Sequence, residues 1–406
     1  MKIEHAARAA VAGLALIAAA SASAQGKAPA GFDAAWKDVA RIFHDSAKSE
    51  GTVAASLYFV QEGRVARAEY HGVTDLDGGR PVDASAIYHW ASITKTLTGV
   101  ALMQLRDRGL INLDDPIVKY LPEVRKVHNP FGPMDKITLR HLLSHSSGLR
   151  ASTFPWRDHE KEWQPHEPAD WSQVEAMMPY SEIAFEPGSR CSYSNPGISM
   201  LGRVIEIVTG DSFESYVTKN ILMPLSMSRS YFDNTPYFLV PDKTNNYFIR
   251  DGKAEPQGRE LDTGATVANG GWNSTLDDMV RWLNFWNGTG DARNYDLVLS
   301  RKTLAEMQQP RCSIAAGDDL DQKMGFTFFT INYPLKSGGV AHYVGHTGGQ
   351  KAYNDYVYID PVSKTAVIFA NNTRNLSVKG NASLYRKTRE AVFERIFPLF
   401  DGKAAK

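Results

Sequence analysis

The stretch Ser92-Ile93-Thr94-Lys95 opens a helical pattern that runs to Gly109, and it is the most informative part of the sequence. Residues three apart share a helix face, so the lysine amine can approach the serine hydroxyl and take its proton if burial lowers the lysine pKa. The alternative is that Ser92 caps the helix and Lys95 is a solvated side chain. That alternative places a cation in the first helical turn, where the helix dipole disfavours it. A local rule broken in this way indicates function.

A second candidate segment is Tyr193-Ser194-Asn195. On a functional interpretation, the Tyr193 hydroxyl is a second proton-transfer group, and the Asn195 amide holds Lys95 and the carbonyl of a substrate. On a structural interpretation, Asn195 and Pro196 are the N-cap and first residue of a helix, and Tyr193 is a core ring. The segment taken alone leaves both interpretations open.

The third segment, His346-Thr347-Gly348-Gly349, follows one predicted strand and precedes another. Its glycines would let the backbone approach a ligand closely, and a backbone N–H there could complete an oxyanion hole with that of Ser92. His346 and Thr347 would then bind the polar or anionic end of a substrate, and an unperturbed histidine changes charge near pH 6.5. The alternatives are a glycine turn between strands and a structural histidine at a strand end.

Working outward from these segments, the ends of the chain carry strand patterns and the middle is mostly helical. The predicted helices cover residues 32–48, 92–109, 138–145, 196–208, 212–222, 274–287 and 382–400. The predicted strands cover residues 53–60, 64–71, 340–345, 354–360 and 364–371. Residues 150–182 are polar and rich in tryptophan, and we expect a long loop there. The pattern predicts an α+β protein in which both ends build one sheet around an inserted helical lobe.

The three segments in this order are more specific than any one of them, because about one S-x-x-K is expected by chance in a chain of this length. Together they resemble the serine β-lactamase and penicillin-binding-protein superfamily, in its class C branch, which also holds esterases and D-specific peptidases. The resemblance runs over residues 32–400. Further matching stretches lie at residues 137–149, 186–188, 270–271 and 345–349.

The resemblance implies a β-lactamase-like (DD-peptidase) fold, with an antiparallel sheet flanked by helices and an inserted helical lobe. The sheet lobe would comprise residues of about 30–85 and 335–400, the helical lobe about 86–334, and the site would lie in the cleft between them. The implied roles are the acylated nucleophile for Ser92, proton transfer for Lys95 and Tyr193, substrate contact for Asn195, and oxyanion N–H groups from Ser92 and Gly349.

One departure from the class C pattern lies in the third segment. True class C β-lactamases begin it with lysine, whereas this chain has His346, as esterase and peptidase relatives do. A permanently charged partner for a carboxylate is thereby replaced by a group that titrates, which weakens the expectation of strong antibiotic hydrolysis. We therefore expect hydrolysis of small esters, D-amino-acid amides or peptides, with weak turnover of β-lactams.

Two alternatives within the enzymes are a cell-wall DD-peptidase and a true class C β-lactamase. An alternative of another class is a catalytically silent protein that binds peptidoglycan or acts in assembly. The intact set of Ser92, Lys95 and Tyr193 argues against silence. The expected partner is a small ester, amide or peptide, with no cofactor and no metal, and the sequence leaves the oligomeric state open.

Composition and the N-terminal residues bear on location. The chain of 406 residues has 45 Lys+Arg and 45 Asp+Glu, so net charge gives no argument for nucleic acid or an anionic membrane. Residues 1–24 have the pattern of a signal peptide cleaved after Ala24, which predicts a periplasmic or secreted domain of residues 25–406 with no membrane span. Cys191 and Cys312 are too few for a Cys-based zinc site, and they either form one disulfide or stay separate thiols.

Overall fold

The computed structural model describes residues 28–149, 168–315, 320–378 and 383–400. The α-helices are α1 (Phe32–Glu50), α2 (Thr94–Asp107), α3 (Leu139–Leu143), α4 (Trp171–Met177), α5 (Asn195–Thr209), α6 (Phe213–Val217), α7 (Val267–Gly270), α8 (Leu276–Asn287), α9 (Tyr295–Val298), α10 (Arg301–Met307) and α11 (Leu384–Arg395). The strands are β1 (Ala54–Gln61), β2 (Arg64–Gly72), β3 (Ile87–His89), β4 (Tyr231–Phe232), β5 (Tyr247–Arg250), β6 (Lys253–Pro256), β7 (Trp272–Thr275), β8 (Cys312–Ser313), β9 (Asp321–Met324), β10 (Phe329–Pro334), β11 (Val340–Gln350), β12 (Tyr353–Asp360), β13 (Thr365–Asn371) and β14 (Thr373–Asn375).

The central element is an eight-stranded sheet in the order β2-β1-β13-β12-β11-β10-β9-β8, in which every neighbouring pair is antiparallel. Helices α1 and α11 cover one face through a cluster that includes Phe43 and Phe393. The other face packs on α8, through Trp282 and Trp286, and on the helical part of the chain. The predicted α+β architecture, a sheet flanked by helices and formed from both ends of the chain, is confirmed.

Local sequence explains the elements that were predicted most closely. In α1 the apolar residues recur with helical spacing, so that Trp36, Val39 and Phe43 are buried on one face. Between β1 and β2, Glu62 and Gly63 both have positive φ, at 48° and 84°. A two-residue turn of that kind matches the right-handed twist of antiparallel strands, which is why the chain reverses there.

Two predicted helix starts are wrong by one residue. Ser194, not Asn195, caps α5, because its side chain accepts a hydrogen bond from the backbone N–H of Gly197. Ser274 was predicted to begin α8, but it is in β7, and Thr275 is the cap, accepting from the N–H of Asp278. In both places two adjacent polar residues can cap, and which of them does so depends on the preceding backbone.

Two boundaries also differ from the sequence prediction. The sheet lobe resumes at Cys312 rather than near residue 335, because β8, β9 and β10 extend the main sheet beyond β11. These strands are short, and β9 consists mostly of polar residues, so they lack a clear alternation. Part of the predicted loop at residues 150–182 is helical, at Trp171–Met177, while residues 150–167 lie outside the described residues.

Small sheets also occur in the inserted part of the chain, with the orders β14-β5-β6 and β3-β7-β4. The second of them ends at His89, three residues before Ser92. Within the described ranges, every helix is too short or too polar to cross a bilayer.

Candidate active site

Ser92 lies in a single 3-10 turn, Ala91–Ile93, which leads directly into α2. The turn is fixed from behind, since Trp90 donates its backbone N–H to Trp272 O (2.8 Å). Ala91 has a φ of 46°, a left-handed conformation that is uncommon for a residue with a side chain and that redirects the chain into the helix. The side chain of Ser92 makes no capping hydrogen bond, so the capping interpretation of this serine is wrong.

The Lys95 amine is buried beside this serine. Its Nζ lies 2.9 Å from Ser92 Oγ and 2.7 Å from the carbonyl oxygen of Asn269, and the residue has 0% exposure. Burial lowers the pKa of Lys95 well below its usual value of 10.5, and among the described residues no carboxylate opposes that shift. Because burial disfavours the charged form, the amine at this distance can take the serine proton.

Asn269, which sequence reasoning missed, helps to hold this lysine. Its carbonyl accepts from Lys95, and its side-chain amide donates to Ser199 Oγ at 2.7 Å on α5. The sequence points only to the neighbouring Gly270 and Gly271, which match the family pattern. Asn269 holds the lysine through its backbone carbonyl, which any residue type supplies, so its side chain gives no indication of this contact.

Tyr193 lies just before α5, in a segment without regular structure, and the fold brings it to the same place. The centre of its ring is 4.9 Å from Lys95 Nζ, and its hydroxyl interacts with the Ser92 side chain. Burial raises the pKa of Tyr193 above its usual value of 10, and the Ser92 interaction opposes that shift. The phenol is therefore protonated at neutral pH and can act as a hydrogen-bond donor.

Asn195 is the first residue of α5, and its side-chain oxygen is buried without a hydrogen-bond partner among the described residues. The expectation that this amide holds Lys95 is therefore wrong, because the amine donates to the Asn269 carbonyl instead. An unpaired buried acceptor is rare in native structures and calls for an explanation. Since Ser194 provides the helix cap, the Asn195 side chain is left free to accept from another molecule.

The third segment is not a turn between strands but part of β11, which continues to Gln350 and pairs with β12. A Cβ atom at Gly348 would overlap the carbonyl oxygen of Trp90, so only glycine lets the strand lie this close to the turn that carries Ser92. The next residue, Gly349, is exposed and faces open space. Thr347 is half-buried on the same strand. The sequence missed the continuous strand because glycine is uncommon in strand interiors.

His346 is fully buried and stacks on Phe329, with 4.5 Å between ring centres. Its Nδ1 lies 2.7 Å from the carbonyl of Thr347, which fixes the proton on that nitrogen. Burial, and to a smaller extent a proton on the nearby Lys95, lower the pKa of His346 to about 3. The expectation of a charge change near pH 6.5 is therefore wrong, because it assumed a solvated ring.

A disulfide joins Cys191 to Cys312, with Cα atoms 5.9 Å apart, so one of the two alternatives from the sequence holds. Cys191 precedes Tyr193 by two residues, and Cys312 is in β8, at the edge of the main sheet. Both cysteines and Tyr193 pack against the same small apolar cluster of Ile314, Met324 and Phe329. The disulfide thus ties the tyrosine segment to the sheet.

This cross-link spans 121 residues, and a loop of that length predicts a large entropic contribution to stability. We expect reduction, or the Cys191→Ser/Cys312→Ser variant, to lower the free energy of unfolding by about 2–4 kcal/mol in urea titrations. The double variant is its own control, because a reductant should no longer change its unfolding. An unchanged unfolding midpoint of the reduced wild type would contradict the expectation.

A family model and several known proteins are similar to this chain. The beta-lactamase family model matches residues 39–389. Protein flp from Staphylococcus aureus (strain MW2) is 24% identical over 331 residues, which cover 82% of this chain and 61% of that protein. The chain thus spans about three fifths of the length of this curated relative.

Solved structures share the fold. The octameric penicillin-binding protein homologue from Pyrococcus abyssi superposes with a TM-score of 0.69 at 26% identity, covering 83% of this chain and 73% of the homologue. The D-amino acid amidase from Ochrobactrum anthropi SV3 gives a TM-score of 0.70 at 20% identity, with 88% and 98% covered. Since the family model extends over most of the chain, from before β1 into α11, the chain belongs to the beta-lactamase family.

Proposed function

We propose that this protein hydrolyses small esters or amides through an acyl-enzyme on Ser92. The Ser92 oxygen bonds to the substrate's carbonyl carbon while its proton passes to Lys95 Nζ, which gives a tetrahedral oxyanion and an ammonium. The carbonyl re-forms as the leaving alkoxide or amine departs with a proton delivered through Tyr193 and Lys95. Water then attacks the acyl carbon and gives a proton to the same groups. The bond between the acyl carbon and Ser92 Oγ breaks as that proton passes to the serine oxygen, and the carboxylic acid is released.

The observation that carries the proposal is the buried amine of Lys95, 2.9 Å from Ser92 Oγ. A lysine that only supported the fold would gain from a carboxylate partner, whereas this one is paired with a hydroxyl and a carbonyl. Desolvation that lowers its pKa is the physical requirement for a general base of this kind. Tyr193, protonated and in contact with Ser92, supplies the complementary donor.

The remaining roles follow from the positions of β11 and α5. Close packing of Gly348 on the Trp90 carbonyl supports an oxyanion hole formed by the backbone N–H groups of Ser92 and Gly349. The side-chain oxygen of Asn195, which has no hydrogen-bond partner among the described residues, supports a hydrogen bond from a substrate N–H. His346 and Thr347 would form the wall beside the acyl group, with His346 as a neutral ring.

The substrate class rests on the same groups. The neutral His346 removes one candidate cation for a substrate carboxylate, which favours neutral esters and amides over β-lactams. The similarity to a D-amino acid amidase adds D-amino-acid amides to the set. A panel of short-chain nitrophenyl esters, D-alanyl amides and nitrocefin, run with wild type and Ser92→Ala, tests the proposal. Turnover of none of them by the wild type would contradict it.

A cell-wall DD-peptidase is the second candidate function, supported by the similarity to a penicillin-binding protein homologue. Release of D-alanine from a D-alanyl-D-alanine peptide would favour it over the esterase activity. We also propose export to the periplasm or medium, as residues 1–24 predict, and the Cys191–Cys312 disulfide suits an oxidising compartment.

The charge state of His346 gives a testable pH dependence. With a pKa lowered from 6.5 to about 3, the ring stays neutral between about pH 5 and 8, and it has no charge to lose as the pH rises. We expect the ratio of kcat/KM for a carboxylate-bearing β-lactam to that for a neutral ester to be constant over this range. Taking the ratio cancels the titration of Lys95 and Tyr193, which both substrates share.

His346→Gln is the matched control, because its side chain has a similar hydrogen-bonding reach and does not titrate. Wild type and this variant should give the same flat ratio. A ratio that falls through about pH 6–7 in the wild type alone would mean that His346 is charged in acid and attracts the carboxylate.

A further inference from the structure

His145, at the end of α3, contacts three successive residues of the tyrosine segment. Its carbonyl oxygen accepts from the backbone N–H of Ser192 at 2.8 Å. Its ring stacks on that of Tyr193, with 4.6 Å between centres and 19° between planes. Its Nδ1 accepts from the backbone N–H of Ser194 at 3.0 Å. One fully buried residue thus holds the backbone on both sides of Tyr193 and the tyrosine ring itself.

These contacts matter because the segment has no regular structure of its own. Residues 191–194 lie outside any helix or strand, so no ladder of hydrogen bonds fixes the position of Tyr193. The disulfide holds the segment at Cys191, and α5 begins after Ser194. Between these two points the ring of Tyr193 is held by stacking on His145 and on Phe329, whose ring centre lies 6.2 Å away. His145 also holds the backbone on both sides of the tyrosine.

The backbone of His145 is in the left-handed region, with a φ of 55°. This conformation costs a residue with a side chain about 1 kcal/mol or more, and strain of this kind persists where the surroundings enforce it. Histidine and asparagine tolerate it better than most residues. The ring at this strained turn lies against that of Tyr193.

The protonation state of His145 separates positioning from proton transfer. Because Nδ1 accepts a backbone hydrogen bond, the ring proton is on Nε2. Burial lowers the pKa of His145 well below 6.5. Among the described residues, Nε2 has no hydrogen-bond partner. Within the described part of the chain, the ring therefore has no hydrogen-bonded path from its second nitrogen to Ser92, and its contacts are those of a residue that holds Tyr193 in place.

We propose that His145 is a positioning residue, which sets the place and direction of the Tyr193 hydroxyl through its hydrogen bonds to Ser192 and Ser194 and its stacking on the tyrosine ring. The inference rests on the proposed function, since it assigns a consequence to the position of Tyr193. A displacement of about 1 Å in a group that transfers a proton can lower a rate about 10²-fold. Loss of the His145 contacts should therefore lower the rate of acylation of Ser92.

Two variants separate the ring stacking of His145 on Tyr193 from its hydrogen bond to the Ser194 N–H. His145→Asn keeps a side-chain acceptor near the Ser194 N–H and suits the left-handed backbone, but it removes the ring that stacks on Tyr193. His145→Phe keeps a ring and removes the acceptor. His342→Asn, at an exposed position of β11, is the matched control. The measurement is the single-turnover acylation rate by a nitrophenyl ester, with substrate affinity and the melting temperature determined for each variant.

We expect each His145 variant to acylate about 10- to 100-fold more slowly, with substrate affinity changed by less than about threefold. In a Tyr193→Phe background, His145→Asn should have an effect of less than about threefold, because the lost hydroxyl is the group it positions. The control should match wild type. If one His145 variant does not fold, the other carries the test.

Acylation of both His145 variants at the wild-type rate, or equal effects with and without the Tyr193 hydroxyl, would overturn the inference and assign His145 to stability alone. These results differ from failure of the proposed function, in which wild type forms no adduct on Ser92. Acyl-adduct mass on the wild type is therefore measured first.

Discussion

The Ser92→Ala variant is expected to fold as the wild type does and to form no acyl-enzyme. The Ser92 side chain makes no capping hydrogen bond and is half-buried, so its removal leaves the turn and α2 intact. Removing the nucleophile of a serine hydrolase lowers the rate by a factor on the order of 10⁴–10⁶, because no other group in the site replaces the covalent step. Circular dichroism reports the fold, and ester turnover reports the activity.

Intact-protein mass after brief exposure to a substrate or a fluorophosphonate should show one adduct on the wild type and none on the variant. The exposed Ser337, replaced by alanine, is a matched control that should label fully. Normal turnover by Ser92→Ala would place the nucleophile elsewhere and end the proposal.

The second large effect concerns Lys95 and Tyr193, the two residues that we propose transfer protons. Lys95→Ala and Tyr193→Phe should each lower the single-turnover acylation rate by about 10²–10⁴, the usual contribution of general acid–base catalysis. Lys95 lies within hydrogen-bonding distance of Ser92 Oγ, and the Tyr193 hydroxyl interacts with the same side chain. Because they act on one proton path, the double variant should lose less than the product of the single effects.

The pH dependence has a definite sign. An amine whose pKa is lowered by burial loses its proton at a lower pH than a free lysine, so acylation should rise with pH through that lowered pKa and then level off. In Lys95→Ala this rise should disappear. Lys302→Ala and Tyr237→Phe, at exposed positions, should behave as wild type. Single variants within a few fold of wild type would mean that the proton takes another route.

Sequence pattern predicts local structure well here because the relevant interactions are local. The amphipathic spacing over residues 32–48 gives α1, and Glu62-Gly63 gives the first hairpin. The three-residue spacing of Ser92 and Lys95 places both side chains on one side of a helix start, which is enough to suggest their pairing. The errors at helix starts are small: the caps of α5 and α8 are one residue off, where neighbouring polar residues compete as caps, and α2 begins at Thr94, two residues after its predicted start.

Long-range packing decided the rest of the site. Nothing near His346 in sequence indicates that Phe329 stacks on it and that burial keeps it neutral, or that Asn269 offers its carbonyl to Lys95. Strand β11 continues through Gly348 and Gly349 because β12 pairs with it there. Glycine is needed at position 348 because the Trp90 carbonyl leaves no room for a side chain.

The sequence by itself determined which residues meet locally: the serine and lysine of one helical turn, the hairpin, and the amphipathic helices, since each follows from spacing within a few residues. The tertiary structure decided the charge states of Lys95 and His346, the pairing of Cys191 with Cys312, and the hold of His145 on the tyrosine segment. These depend on desolvation and on contacts between residues distant in the chain, and both arise only when the lobes pack together.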